Sequence, residues 1–242
     1  MREASVLHVA QQRLEQRLAG CDPFVMWDVG LGAGANALAV VEALGAMQDQ
    51  RVPVELRSFD QTLEPLRFAL RHAAQLGYPA RWEREIATLL ETGSVQIGRI
   101  TWRIEPGDFR QRAGECEGPP PRAVLFDPYS PAANPGMWTR AVFQAIRSRA
   151  DDDDCILTTY TRSTVIRARL LSAGWCVGRG AATGEKTETT IATTRLEMLE
   201  EPLRADWLER VRRSTAKGLR EGGMTAESVA AELAACPQMR NP

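Results

Sequence analysis

The chain reads as a doubly wound α/β domain, a mostly parallel sheet with helices on both faces, closed at its C-terminal end by an antiparallel strand pair. Three observations predict this. Short apolar runs alternate with segments of helical spacing through residues 24–194, as expected of strands joined by helical crossovers. The first run, Phe24-Val-Met-Trp-Asp-Val29, enters the glycine-rich turn Asp28-Val-Gly-Leu-Gly-Ala-Gly-Ala-Asn36, and a helical pattern follows it. The last two strands, beginning at Trp175 and Thr189, are separated by only about ten Gly-, Thr- and Ala-rich residues, too few for a crossover helix, so they must pair antiparallel.

The elements follow in order. Val6, Val9, Leu14 and Leu18 among Gln, Arg and Glu predict an amphipathic helix over residues 4–19 that serves as a lid or brace. Asn36 to about Met47 is helical, and Val54 to Phe59 alternates as a second strand. Thr62, Glu64 and Pro65 then start a helix carrying the stripe Leu66, Leu70 and Ala73. Ile100–Ile104 is a strand ending at Glu105-Pro-Gly-Asp108, and Ala123-Val-Leu-Phe-Asp127 is an apolar strand ending in a carboxylate. Between them Gly114–Arg122, with three consecutive prolines, is a loop. Trp138–Ser148 and Val165–Ala173 are helices flanking a strand over Cys155–Tyr160, and Thr189–Thr194 is the last strand. Leu203, Trp207, Leu208, Val211, Val229 and Leu233 in a charged background predict one or two peripheral helices and a tail. The expected organisation is an N-terminal helix (1–20), a central domain (21–195) and C-terminal peripheral helices (196–242).

Composition narrows the partners. Thirty Lys and Arg against 31 Asp and Glu leave a net charge of −1, which provides no global attraction for nucleic acid. Arg204, Arg210, Arg212, Arg213 and Arg220 are interspersed with Glu and read as a solvated face. The five cysteines, Cys21, Cys116, Cys155, Cys176 and Cys236, form no C-x-x-C pair, so reduced thiols are expected rather than a disulfide framework or a metal site. The acidic run Asp151–Asp154 reads as a solvated turn. His8 and His72 lack a nucleophile pattern and read as structural. The start has no signal-type apolar segment and no stretch is long enough to span a membrane, which predicts a cytoplasmic protein.

The glycine turn lets backbone N–H groups approach a ligand at a helix N-terminus, which suits a nucleotide-like cofactor. Gly30, Gly32 and Ala35 also satisfy G-x-G-x-x-A, so the turn alone leaves S-adenosylmethionine (SAM) and NAD both open. Asp60, at the end of the second strand, suits the ribose hydroxyls, with a helix-capping role as the alternative. Asp108 could accept from an adenine amino group or be a turn residue. The segment Phe126-Asp-Pro-Tyr-Ser-Pro-Ala-Ala-Asn-Pro-Gly-Met-Trp138 is a rigid loop where open α/β sheets bind ligands, unless it is only a proline-rich turn. There Asp127 and Tyr129 could orient an amine and stabilise a cationic methyl-transfer centre.

With these segments the chain resembles the methyltransferase domain of the bacterial tRNA wobble-uridine modification family MnmC. The family pattern reads roughly E-L-G-F-G-T-G-L-N at the first turn and D-G-F-A-P-A-K-N-P-x-M-W at the fourth strand, and the likeness spans about residues 24–194. The resemblance implies a Rossmann-like, seven-stranded SAM-dependent methyltransferase fold with an antiparallel terminal hairpin. It places Asp28, Gly30, Gly32, Gly34 and Asn36 at SAM, Asp60 at the ribose position and Asp108 at the adenine-side acidic position. It makes Asp127 and Tyr129 the catalytic positions, and Asn134 with Lys186 and Glu188, the latter two retained from a G-R-K-R-E motif, acceptor-side residues. No metal is implied. The family's loop lysine is Ala133 here, its glycine after the catalytic Asp is Pro128, and the two arginines of the late motif are Glu185 and Thr187. The expected activity is therefore SAM-dependent N-methylation, of an aminomethyl wobble uridine in tRNA by resemblance, with a small amine as the alternative acceptor. An NAD-dependent oxidoreductase and a non-catalytic SAM-binding protein are the competing classes. The chain carries no segment large enough for the flavin-dependent oxidase often fused to this domain, so only the methylation half is expected.

Overall fold

The computed structural model describes residues 4–18, 23–47, 51–150, 154–184, 186–219 and 225–240. Cys21, three of the four carboxylates of the Asp151–Asp154 run, Glu185 and Arg220 lie outside the described residues.

Eight strands form one sheet: β1 (Phe24–Val29), β2 (Val54–Asp60), β3 (Ser94–Ile97), β4 (Ile100–Pro106), β5 (Ala123–Phe126), β6 (Ile156–Thr159), β7 (Cys176–Gly180) and β8 (Thr189–Thr193). Their spatial order is β3-β4-β2-β1-β5-β6-β8-β7. The five strands β4, β2, β1, β5 and β6 run parallel, and β8 is inserted antiparallel between β6 and β7. The Rossmann-like methyltransferase sheet with a reversed terminal pair is therefore present. It has one strand more than the seven expected, because β3 folds back antiparallel on the edge strand β4. β3 has only four residues, and no run of apolar side chains marks it in the sequence.

Helices α1 (Ala35–Ala46), α2 (Glu64–Arg71), α3 (Glu83–Thr92), α4 (Phe109–Glu115), α5 (Arg140–Ala150), α6 (Thr164–Ser172), α7 (Leu208–Arg212) and α8 (Ala226–Ala234) cover the two faces. Every residue of β1 and β5 is buried, as expected of central parallel strands covered on both sides. Alternation along β1 then sorts the core. Phe24 and Met26 pack with Leu38, Val41 and Leu44 of α1 and with Ile86 and Leu89 of α3. Val25, Trp27 and Val29 pack with Phe109 of α4, with α5 and α6, and with Trp207, Leu208, Val211, Val229 and Leu233 of the C-terminal segment. This second face contains a ring cluster in which Trp27, Phe59 and Phe109 meet edge to face at 5.0–5.9 Å, a favourable arrangement of aromatic quadrupoles.

The N-terminal segment departs from the single helix expected. Ser5–Ala10 is a π-helical turn, Arg13 adopts a left-handed conformation (φ 49°), and a short helix follows at Leu14–Arg17. Leu7, Leu14 and Leu18 are buried as an amphipathic segment requires, and polar contacts that the pattern does not register dock it on the sheet. His8 Nδ1 lies 2.8 Å from Thr158 Oγ1, and the Gln12 amide donates to the Ile156 carbonyl at 3.1 Å and to Thr158 Oγ1 at 3.2 Å, so both side chains dock on β6. At the other end of the chain Gln238 is buried, donating to the carbonyls of Val177 and Leu203 and accepting from Val177 N–H. No helix among the described residues is long and apolar enough to cross a membrane.

Candidate active site

A cavity of about 930 Å³ opens at the carboxyl ends of β1, β2, β5 and β6. Open α/β sheets bind ligands at this edge because strand order reverses there, which leaves a crevice between adjacent loops. Its walls come from the glycine turn (Gly30–Ala33), the end of β2 (Phe59–Thr62), the loop after β5 (Asp127–Pro131, Asn134, Met137, Trp138), and Tyr160, Thr161 and Lys186.

The glycine turn is shaped by close approach. Gly30 has φ +95°, and a β-carbon on it would stand 2.4 Å from the Asp127 carbonyl oxygen and 2.7 Å from Pro128 Cα. Gly32 N–H donates to Asp60 Oδ2 at 2.8 Å, which ties the turn to the end of β2. Gly34 (φ +82°) precedes α1 and faces Leu66 instead of the cavity.

Asn36, in the first turn of α1, donates from Nδ2 to Asp127 Oδ2 at 3.3 Å. Burial pushes the Asp127 carboxyl up to about 6, while the Asn36 hydrogen bond and the Lys186 charge pull it down. Lys186 reaches this wall from the turn between β7 and β8: its ammonium donates to the Tyr160 carbonyl at 3.1 Å and lies 5.3 Å from the Tyr160 ring centre. Tyr129 has φ +60°, an uncommon conformation for a residue with a side chain. It is held by its own N–H donating to the Asp127 carbonyl at 2.9 Å and by Trp138 Nε1 donating to the Tyr129 carbonyl at 3.2 Å. The tyrosine ring is left 61 % exposed at the rim. Asn134 N–H donates to the Ser130 carbonyl at 2.9 Å, which closes the loop on itself.

Of the residues singled out in the sequence, Gly30, Gly32, Asn36, Asp60, Asp127, Tyr129, Asn134 and Lys186 line this one cavity. Asp28, Gly34, Asp108 and Glu188 are not on its walls. Asp28 has the same parity as Phe24 and Met26, so it points to the α1 face, where Ser58 donates to it at 2.8 Å and Trp102 Nε1 donates to Ser58 at 2.9 Å. Burial raises its carboxyl to about 7, and the nearby Asp127 and Asp60 charges add to the rise against the Ser58 hydrogen bond. Asp108 caps α4, accepting from Arg110 N–H at 2.9 Å and from its guanidinium Nε at 2.9 and 3.0 Å, and these bonds hold its carboxyl below the usual range. Glu188 is engaged by Arg167 at 3.1 Å and Arg179 at 3.5 Å, behind the segment that carries Lys186.

Tyr160, Thr161, Met137 and Trp138 were not singled out as site residues in the sequence. Tyr160 carried a usable signal, since it ends a predicted strand and the same rule pointed to Asp60 and Asp127. His8, read as structural, is buried with its ring edge against Tyr160 at 5.4 Å, and burial holds it neutral with a pKa of about 3.

A family model described as S-adenosyl-L-methionine-dependent methyltransferase matches residues 73–195, half of the chain. The chain belongs to this methyltransferase family. It is 28 % identical over 248 residues to the tRNA 5-methylaminomethyl-2-thiouridine biosynthesis bifunctional protein MnmC of Aeromonas hydrophila, covering 95 % of this chain and 36 % of that protein. The MnmC protein of Burkholderia vietnamiensis is 28 % identical over 189 residues, covering 72 % and 28 %. The methyltransferase thus spans about a third of the length of these curated relatives. Among solved structures, MnmC2 from Aquifex aeolicus superposes with a TM-score of 0.67 at 24 % identity, covering 96 % of this chain and 74 % of that one, and so shares its fold. The protein is an enzyme of the SAM-dependent methyltransferase family, and SAM rather than NAD is its cofactor. The Asp60 carboxylate on the cavity wall, beside a turn that presents Gly30 and Gly32 without side chains, fits that cofactor.

Proposed function

We propose that this methyltransferase transfers the SAM methyl group to the amino nitrogen of an aminomethyl-substituted wobble uridine in tRNA. The observation that carries the reading is the Asp127 carboxyl: largely buried on the cavity wall, pushed up to about 6, and held at one oxygen by Asn36. A group with that pKa near neutrality can hold the proton an alkylamine must shed before its lone pair can attack. The names of the curated relatives support the acceptor, because they state the biosynthesis of a methylaminomethyl uridine in tRNA.

Gly30, Gly32 and Asp60 would hold SAM, the glycines by letting it approach the turn without side chains in the way and the Asp60 carboxylate by accepting from its hydroxyls. SAM supplies an electrophilic methyl group on a sulfonium. Asp127 accepts an N–H of the acceptor amine and orients its lone pair, and Lys186 keeps a fraction of Asp127 ionised so that it can do so. Tyr129 and Tyr160 provide rings beside a centre that carries positive charge during transfer, where aromatic faces are favourable. Asn134 holds the loop that carries Tyr129, and Asp28 and Glu188 act from behind the walls. Most of the rate then comes from positioning. We assign the catalytic unit to residues 21–195, braced by the segments on either side.

A small amine is the second reading of the acceptor, favoured by Ala133 and Pro128 where the family pattern has lysine and glycine. Incubation with labelled SAM and either bulk tRNA from cells lacking this modification or a metabolite extract tests the choice. Label incorporated into tRNA at the aminomethyl uridine supports the first reading, and label only in the metabolite fraction overturns it.

A further inference from the structure

The wall behind Lys186 carries an excess of positive charge that catalysis, as described above, does not use. Glu188 is the carboxylate there, and guanidinium groups gather around it: buried Arg167 at 3.1 Å and exposed Arg179 at 3.5 Å. Arg210 is an exposed residue of α7, which packs against α6, the helix that carries Arg167. Arg167 also donates to Thr190 Oγ1 at 2.9 Å and to the Thr189 carbonyl at 2.7 Å, which fixes β8 against α6. Thr190 in turn donates to the carbonyl of Thr161, a cavity-wall residue, and the next residue is the exposed Arg162. Neither Arg162 nor Arg210 has an ion-pair partner among the described residues, whereas Arg13, Arg67, Arg81, Arg140 and Arg195 on the surface are each paired with a carboxylate. The chain as a whole is close to neutral, so this is a local concentration.

We propose that Arg162, Arg179 and Arg210 form a phosphate-binding edge beside the cavity that grips the phosphodiester backbone of an RNA acceptor. The inference rests on the tRNA reading above and adds where the polynucleotide lies. Arginine suits the task because its planar fork meets two phosphate oxygens at once, and the solvent-facing guanidiniums of Arg162 and Arg210, which have no ion-pair partner among the described residues, are ready to exchange counterions for phosphate, with Arg179 beside them on Glu188. The edge surrounds a rigid support, since buried Arg167 locks β8 to α6, against which β7 and α7 pack and which Arg162 precedes by two residues. Lys186, two residues from Glu188, extends from the same turn to the cavity, so a strand held at the edge presents a base to the Asp127 wall. A small amine would use the cavity and have no need of Arg210.

The test compares wild type with R162E/R210E, which leaves both ion pairs of Glu188 in place, and with R84E. Arg84 lies on α3, which packs near the β3–β4 edge of the sheet, so its reversal controls for net charge. Methylation of bulk tRNA with labelled SAM gives KM, filter binding at several salt concentrations gives the slope of log K against log salt, and calorimetry gives SAM affinity as a check on folding. R162E/R210E should raise KM for tRNA by about tenfold or more and reduce the salt slope by about 1 to 2. SAM affinity should remain within about twofold, and R84E should match wild type; R162Q/R210Q should fall between wild type and the reversal. An unchanged KM and slope in R162E/R210E, or an equal loss in R84E, overturns the edge while the tRNA reading stands. Wild type that neither binds nor methylates tRNA overturns both.

Discussion

Gly30 and Asp127 approach so closely that the two halves of the site have no room for a side chain between them: a β-carbon at Gly30 would stand 2.4 Å from the Asp127 carbonyl oxygen. The glycine turn after β1 and the loop after β5 are thereby fixed against each other, backbone to backbone. The Gly30→Ala variant must move one of them and also strains a residue at φ +95°. We expect a loss of about 2–4 kcal/mol in stability and at least a tenfold loss of SAM affinity, measured by thermal melting and calorimetry. Native-like SAM binding in this variant would show that the contact does not shape the cofactor site.

Asp127 should set the acid limb of activity. With its carboxyl at about 6, kcat/KM should rise through that pH as the ionised form appears. The Asn36 hydrogen bond favours the ionised form, so the Asn36→Ala variant should move the limb to higher pH. The Asp127→Ala variant should abolish turnover while retaining much of SAM binding. An acid limb that stays in place in Asn36→Ala, or turnover in Asp127→Ala, removes Asp127 from the role.

Asp28 should couple folding to pH. Its folded pKa, about 7, is above the ordinary 3.8, so the native state binds the extra proton between those values. The stability this provides is complete below about pH 4 and is lost as pH rises through 7, amounting to on the order of 4 kcal/mol. His8, lowered to about 3 from 6.5, gives the opposite slope, with stability lost as pH falls between 6.5 and 3. The Asp28→Asn variant keeps an acceptor for Ser58 and removes only the first slope. Its melting temperature should gain on that of wild type as pH rises from 4 to 7 and then run parallel, and a constant difference across that range would contradict this.

Glu188 should behave as an internal counter-ion. The Glu188→Gln variant leaves Arg167, at 1 % side-chain exposure, without its carboxylate. Because Glu188 itself is partly exposed, we expect a cost of about 1–3 kcal/mol, with SAM affinity unchanged. A variant of wild-type stability that loses only acceptor affinity would instead place Glu188 at the acceptor.

Much of the fold is legible because it rests on local periodicity. The apolar runs of β1, β5 and β6, the glycine turn and the short β7–β8 connection each carry their structure within a few residues. The elements that escaped are those whose stability is not local. β3 has four residues and depends on its partner β4; α3 covers that same edge; and the N-terminal segment is shaped by His8 and Gln12 reaching β6, about 150 residues away in sequence. A hydrophobic pattern contains no term for a polar side chain that finds its partner only in the folded chain.

The site divides in the same way. The sequence by itself determined that Gly30, Asp60 and Asp127 stand at the ends of neighbouring strands, because strand ends and glycine turns are local features and parallel strands bring their carboxyl ends to one edge. The tertiary structure alone decided which carboxylates reach the cavity. Asp28, Asp108 and Glu188 carry the same chemistry as Asp60 and Asp127, but Ser58 beneath α1, the Arg110 clamp and the Arg167–Arg179 pair claim them. A carboxylate's function depends on which partner satisfies it, and that partner is fixed by long-range packing that the spacing of residues along the chain does not encode.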